Sequence, residues 1–426
     1  MRGSSGTVQA ALLSTAILIG LPVAAQSDWP QWRGPARDGS VSAPEELGAW
    51  LEEPVLLWQS EVGEGYSGPV ADRERIWVQA RRGEREVVSS LRLSDGKELW
   101  SRSYEAPFEQ DPSAAGHGLG PYSTPTLAQN RLFTISMTAV LSAWDADDGA
   151  LLWKVDYSGE FDPSYTTYGS SASPLVREGL CFLHVGGPKG RELGNPGPGA
   201  MVAIRVSTGE EEWRWTGDSP NLGASPVIQE IAGQPQLIFK SRDKIVSLDP
   251  HDGNELWRIP WKVPMDNTIV TPLLIGDQLV TSDWEKGVVA WRLEKSGASW
   301  AARELWNQPD VYLGMSSPVI AEGQLVGLSY LRQGQLFGLD PASGEVLWRF
   351  EPRWGDYASL ISWDGAVMVF RQDGSLIVGA VSRDRFREIR RYRLWSGRSW
   401  AHPALVGDRI LVRSGDKLIA YRLTGN

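Results

Sequence analysis

The residues able to do chemistry are few and far apart. His117, His184, His251 and His402 are separated by at least 67 positions, so no pair has the helical spacing by which two imidazoles reach one zinc ion. Cys181 is the one cysteine of the chain. In the alternating apolar run 180–183 it reads as a structural thiol, and it can form neither an internal disulfide nor a Cys-rich metal site. No Gly-x-Ser-x-Gly elbow marks a hydrolase nucleophile, and the Gly-rich stretches at 116–120 and 183–199 lack the Lys and the strand-to-helix setting of a phosphate cradle. Carboxylates are plentiful but sit mostly in turns, so paired-carboxylate chemistry would need acids from distant segments to meet in space. His251 lies in a turn and is expected to be exposed, and His402 precedes Pro403 where most related segments have Ser or Thr, which suggests packing. His117, in the loop 116–122, is the histidine placed to touch a ligand.

Charge narrows the partners. The 426 residues include 42 Lys and Arg against 52 Asp and Glu, a formal charge of −10, which argues against a general phosphate-backbone binder and so against a nucleic-acid partner. Arg2, the apolar run 10–19 and the small residues Val23 and Ala25 have the pattern of an export signal cleaved before Gln26. The apolar run is shorter than the roughly 20 residues that cross a bilayer, and no cysteine follows Ala25 to carry a lipid. The expected product is periplasmic or secreted, with no transmembrane segment, and monomeric.

The elements that must position any site follow from two alternating signatures. In the first, a hydrophobic strand runs into an acidic or polar turn with Gly, and a Trp follows that Gly by four residues: Gly96 and Trp100, Gly149 and Trp153, Gly209 and Trp213, Gly253 and Trp257, Gly344 and Trp348. Gly supplies the positive φ of a tight turn and the flanking β-branched and aromatic residues favour strands. The second signature is Ser or Thr before Pro, or a close relative, leading into a short strand: Ser67-Gly68-Pro69, Ser123-Thr124-Pro125, Ser173-Pro174, Ser225-Pro226, Thr271-Pro272, Ser317-Pro318, Ser359-Leu360 and His402-Pro403. Successive copies are 42 to 56 residues apart, with four short strands per period, which predicts the blades of a propeller and is not explained by a two-layer sandwich.

The expected fold is therefore all-β: a single eight-bladed β-propeller of four-stranded antiparallel blades. Outer-strand Trp residues at 58, 100, 153, 213, 257, 306 and 348 mark seven blades, with the eighth equivalent expected near Tyr392. The run at 55–60 has no hairpin before it and the C-terminal run stops after three strands, so the N-terminal strand is expected to complete the last blade and leave the ring closed. The domain layout is a signal peptide at 1–25, a leader at 26–53 packed on the ring through Trp29 and Trp32, and the propeller at 54–426. The fifth blade's turn is lengthened through Lys295-Ser296-Gly297-Ala298-Ser299-Trp300, and in the seventh Ser382-Arg383-Asp384-Arg385-Phe386-Arg387 replaces the Gly turn.

Connections from each outer strand to the next Ser/Thr-Pro segment converge at one mouth of a propeller's channel. These hold Tyr66, Tyr122, Tyr165, Tyr168, Tyr312, Trp354, Tyr357 and Trp400, with Asp266 and Asn267, and Arg398 as a cationic anchor. Such residues could bind a planar cofactor or a peptide through flat aromatic area, or could plug the channel by packing.

The segments 248–257 (Leu-Asp-Pro-His-Asp-Gly-Asn-Glu-Leu-Trp) and 339–348 (Leu-Asp-Pro-Ala-Ser-Gly-Glu-Val-Leu-Trp) resemble the Trp-docking repeat of pyrroloquinoline-quinone-type β-propellers, over about 54–424. The leader 28–39 is similar to the start of exported bacterial propellers of this kind. The resemblance embraces periplasmic quinoprotein dehydrogenases and the β-propeller lipoprotein of the outer-membrane β-barrel assembly machinery, so it implies fold more firmly than activity. It implies two functions: a non-catalytic scaffold binding envelope or extracellular proteins, or a small ligand, at the channel mouth, and a dehydrogenase of alcohols or sugars using pyrroloquinoline quinone with calcium. The adjacent cysteine pair of the best-known enzymes is absent here, and no metal-ligand set is legible, which favours the scaffold.

Overall fold

The computed structural model describes residues 29–41, 50–109, 112–161, 168–186, 199–218, 223–263, 268–297, 299–331, 333–363 and 366–425. The expected signal peptide and most of the loop at 186–199 lie outside them. Among the described residues, eight four-stranded antiparallel sheets form, the predicted all-β propeller. Seven blades use strands consecutive in sequence, ending in outer strands that carry Trp100, Trp153, Trp213, Trp257, Trp306, Trp348 and, in blade 7, Arg385–Arg393. The eighth takes its outer strand, Trp50–Glu61, from the other end of the chain, antiparallel to Lys417–Thr424 with Trp58 opposite Ala420 and Glu61 opposite Lys417.

Burial explains the sequence pattern. Middle strands such as Ala366–Arg371 and Ser375–Ser382 are buried on both faces, because each blade is sandwiched between two others, so they read as nearly continuous apolar runs. Outer strands are half exposed and alternate. Between blades 6 and 7, for instance, Leu336, Trp348, Val367, Val369 and Phe386 form one cluster.

The Gly and Trp of the first signature do not serve the same contact. Five of the outer-strand Trp residues, Trp58, Trp100, Trp153, Trp213 and Trp306, lie across the turn glycine of the following blade: a Cβ on Gly96 would fall 2.4 Å from the Trp58 ring, on Gly149 2.5 Å from Trp100, and on Gly344 2.6 Å from Trp306. The indole N–H then donates to a carbonyl of that turn, from Trp58 to Leu93 at 2.9 Å, Trp100 to Ala146 at 3.2 Å and Trp153 to Val206 at 2.9 Å. The glycine is required twice over, by positive φ (+70° at Gly96) and by the ring on its face.

Register corrects the eighth marker. A bulge just before the Trp recurs, so that Ser90 opposes Trp100 and Gly338 opposes Trp348. In blade 7 the bulge lies between Val378 and Gly379, and the residue at the Trp position, opposite Val378, is Arg390. Tyr392 is two residues further on, buried against blade 8 with its hydroxyl donating to the Leu51 carbonyl at 2.6 Å. Blade 7 has no Gly turn from which the Trp position could be counted.

The second signature also acts between blades. The Gly68 amide donates to Thr124 Oγ1 (3.1 Å), that of Thr124 to Ser173 Oγ (2.9 Å), that of Ser173 to Ser225 Oγ (2.9 Å) and that of Thr271 to Ser317 Oγ (3.3 Å). At Thr124, Ser173, Ser225 and Ser317 the residue before Pro is thus a latch between blades, its hydroxyl satisfying an amide of the preceding blade.

The leader segment 29–41 fills the channel these latches surround. Trp29 exchanges backbone hydrogen bonds with Ala71 of blade 1, and Leu127 of blade 2 donates to the Pro30 carbonyl at 2.7 Å. Arg37 donates to the carbonyls of Pro174 and Ser173 in blade 3 at 2.9 and 3.1 Å, and Arg33 to that of Pro318 in blade 6. Ser362 of blade 7 donates to the Gly39 carbonyl, and Trp29 stacks on His402 of blade 8 with 5.9 Å between centroids. Arg33 and Arg37 flank the Trp32 ring at 5.5 and 6.0 Å, a cation–π arrangement. One short segment therefore ties six blades together.

Candidate site at the channel mouth

Above the leader, the mouth opens into a cavity of about 450 Å³ whose floor is made by Trp32 and Arg33 and whose lower wall includes Ser173, Ser225 and Ser317 of the latch ring. Of the residues expected there from sequence, Tyr66, Tyr122, Tyr168, Tyr357 and Trp400 line it, together with His117 and Arg398. They form one aromatic wall. Tyr66 stacks on Tyr122 (5.4 Å) and meets Trp400 (4.7 Å), while His117 meets Trp400 (4.9 Å) and stands edge-on to Tyr168 (5.5 Å). Arg398 lies over Trp400 at 5.7 Å, its head group exposed at the rim.

Local structure explains these positions. His117 ends a 3-10 turn, Pro112–His117, in the connection from blade 1 to blade 2. Tyr122 is pinned by its hydroxyl donating to the Gly118 carbonyl at 3.0 Å, and burial raises its pKa above the ordinary phenol value. The Tyr357 hydroxyl donates to the Trp400 carbonyl at 2.8 Å, and burial pushes its pKa up to about 12. These phenols are therefore neutral donors and flat surfaces at physiological pH, with no role as bases.

Two expected positions fall elsewhere. Trp354 is 1% exposed, its ring packed between Phe350 and Phe386 in the core between blades 6 and 7, because the Trp354 amide donates to the Gly334 carbonyl (2.8 Å) and turns the chain inward directly after the outer strand. Tyr312 is buried behind Tyr330, with 6.1 Å between rings, and does not line the cavity. Asp266 and Asn267, like Tyr165, lie outside the described residues.

The opposite wall was not anticipated. Trp284 and Tyr330, 4.4 Å apart between centroids, face the cavity from blades 5 and 6, with Asp356 and Gln372 beside them. Trp284, Tyr330 and Gln372 occupy turns between the second and third strands of their blades, and these turns open on the same mouth as the connections between blades. Aromatic residues at that turn position were the available signal.

Electrostatically the mouth is mildly cationic. Arg33 is fully buried, held by the carbonyls of Asp38 (2.6 Å) and Pro318, and burial lowers its pKa to about 10, leaving it charged. His402 is pushed down to about 3 by burial, with Arg33 adding to the effect, so its ring is neutral. Asp356 is the carboxylate among the described lining residues, and among the described residues no three His, Cys, Asp or Glu converge to hold a metal ion. The donors that would hold calcium beside a quinone are thus not assembled among the described residues, although the two aromatic walls could sandwich a flat group. What the geometry offers is stacking area, two arginines and hydroxyl donors.

Comparison with known proteins adds the following. The family described as outer membrane protein assembly factor BamB matches residues 84–350. BamB of Shewanella oneidensis is 22% identical over 385 residues, spanning 85% of this chain and 87% of that protein. Among solved structures, the quinohemoprotein alcohol dehydrogenase ADHIIG of Pseudomonas putida HK5 superposes with a TM-score of 0.66 at 13% identity, covering 94% of this chain and 81% of its own. BamB from Moraxella catarrhalis superposes with a TM-score of 0.59 at 15% identity, covering 86% of this chain and 98% of its own. At such identities the likeness to solved structures concerns the fold.

Proposed function

The chain belongs to the family described as outer membrane protein assembly factor BamB, and from that membership we propose that it is a periplasmic, non-catalytic scaffold that holds protein partners during assembly of outer-membrane proteins. Tyr66, Tyr122, Tyr168, Tyr357 and Trp400, facing Trp284 and Tyr330, are the surface that receives a partner segment or a small ligand. The observation that carries this reading is the mouth itself: two aromatic walls on a rigid ring, closed below by the leader, with area for stacking and no converging acids among the described residues. The exported state follows from the signal pattern at 1–25.

Photo-crosslinking tests it. A benzoylphenylalanine at Tyr66 or Tyr330, in cells producing the protein with its natural signal, is expected to trap envelope proteins, while the same group at Arg177, an exposed strand-end residue remote from the mouth, traps none of them. Identical capture at all three positions, or capture at none, would reject the mouth as the partner surface. The quinone-dependent reading is tested separately, by adding pyrroloquinoline quinone and calcium to purified protein. The scaffold reading expects no chromophore retained after gel filtration and no dye-linked alcohol oxidation.

A further inference from the structure

The eight outer strands share a pattern but not a charge. Arg385–Arg393 in blade 7 carries five arginines and one glutamate, net +4. The other seven range from net +1 in Val346–Arg353 to net −3 in Trp50–Glu61, on a chain of net −10. The blade 6 strand at +1 is its neighbour, but its register turns Arg349, opposite Phe337, toward blade 5, so the basic edge belongs to blade 7. Partners within the chain neutralise part of it: Arg391 is bound by Glu388 at 2.7 Å and Arg393 lies 3.6 Å from Asp373. Arg385 and Arg387 are exposed and make no ion pair among the described residues.

Three features give this charge a directional use. The strand is last in its sheet, so its outer backbone edge is unpaired. It is nine residues long with neither Pro nor Gly, unlike the outer strands of blades 4, 6 and 8, which contain Pro260, Pro352 and Pro54. Its register puts Arg385, Arg387 and Arg390 on the face toward blade 8, and Arg391 and Arg393 on the face toward blade 6. A strand laid along this edge would find Arg385 and Arg387 two residues apart on one face and Arg391 and Arg393 two residues apart on the other, about 7 Å, the spacing of alternate side chains in a partner strand, with the bulge before Arg390 between the pairs.

We propose that the outer edge of blade 7 is a docking strand for an extended, acid-rich protein segment, which adds as a fifth strand and pairs its carboxylates with Arg385, Arg387, Arg390, Arg391 and Arg393. The repeated interval along a free backbone edge matches a peptide, whose amides and carboxylates recur at that interval, better than a lipid headgroup, which has no backbone to pair. This surface is on the circumference and stands independently of the channel mouth.

The test is fluorescence anisotropy of the full chain with a labelled nine-residue peptide of repeated Glu-Glu-Val, matched to the nine residues of the strand. Binding is expected to weaken with salt and to fall roughly tenfold or more in R385E/R387E, the loss of two exposed charge pairs plus the repulsion introduced. R385K/R387K, with the same charge, is expected to retain most of it, and both variants are first checked for an unchanged melting temperature, these side chains being exposed. A peptide with alternate amides N-methylated is expected to bind much more weakly, because one edge of its backbone is blocked. Equal binding of the methylated peptide, equal binding by R385E/R387E, or sedimentation with phosphatidylglycerol vesicles in the absence of peptide binding would each overturn the proposal.

Discussion

Trp348 donates its indole N–H to Gln324 of its own blade at 2.8 Å, and not to a carbonyl of the next blade's turn. The cause is the neighbour: blade 7 replaces the tight Gly turn by the long hairpin Ser375–Ser382 and Arg385–Arg393, and Gln324 spans the gap by donating to the Ser382 carbonyl at 2.9 Å. Blade 4 repeats the first half of this arrangement, with Trp257 donating to Gln236 Oε1 at 2.7 Å beside the long hairpin of blade 5.

Replacing Gln324 by Ala is therefore expected to destabilise the ring by about 1–3 kcal/mol, the cost of leaving a buried indole N–H without an acceptor. Gln324→Glu keeps the acceptor for Trp348, loses the donor to Ser382 and places a charge beside a carbonyl, so it is expected to be no better. Urea midpoints of the two variants against the parent check this, and an unchanged midpoint in both would show the bridge to be idle.

Two glycines with similar positive φ separate strain from docking. Gly96 (φ +70°) lies under Trp58, whereas Gly83 (φ +63°) has open space where a Cβ would go. Gly83→Ala is expected to cost on the order of 1 kcal/mol from backbone conformation alone. Gly96→Ala is expected to cost several times more, because the added carbon collides with the ring that closes blade 8 on blade 1. Thermal melting of both variants measures the difference.

A buried ion pair links blades 4 and 5. Lys240 and Asp283 have fully buried side chains 2.6 Å apart, and Asp283 also accepts from Trp261 at 2.7 Å. Lys240→Met leaves a buried carboxylate without its cation and is expected to destabilise by about 3–5 kcal/mol. Lys240→Met with Asp283→Leu is expected to recover much of that loss, which a double-mutant cycle on denaturation midpoints reads directly.

Acid should loosen the mouth through His402. Its pKa in the folded protein is pushed down to about 3 from the ordinary 6.5, by burial first and by Arg33 second. Between those values the unfolded chain binds the proton and the folded one does not, so stability is intact above about pH 6.5 and falls as pH drops toward 3, by up to about 1.4 kcal/mol per pH unit. His402→Gln is expected to flatten that part of the profile. The difference between the two melting curves across pH 3.5–7 isolates it, and parallel curves would rule it out.

The ring and its closure are legible in sequence because the repeat is enforced by contacts made once per blade: a Gly that must accept a ring, and a hydroxyl that must meet an amide. Tyr66, Tyr122, Tyr357 and Trp400 could be placed for the same reason, since each sits three residues before the Pro or Leu of its Ser/Thr-Pro segment, and Tyr168 sits six before. Trp354 and Tyr312 share the six-residue offset of Tyr168 and still turn into the core, where Phe350 and Tyr330 offer apolar surface, a choice that pattern alone does not contain. Trp284 and Tyr330 went unseen because they lie in a different turn. Nor does the spacing of Arg33 and Arg37 announce that they enter the channel; their partners are backbone carbonyls of blades 3 and 6, which carry no sequence signature.

The closure of blade 8 has a consequence in time. A ribosome makes Trp50–Glu61 among the first strands and its mate Lys417–Thr424 as the last, so the earliest strand waits for nearly the whole chain before it has anywhere to go. Blades 1 to 7 are local and can form in order, but the final join is the longest-range contact in the molecule and correspondingly slow. A chain cut short anywhere leaves Trp50–Glu61 without its mate, a broken circle displaying two raw edges to whatever inspects unfinished protein. The ring thereby reports on its own completeness.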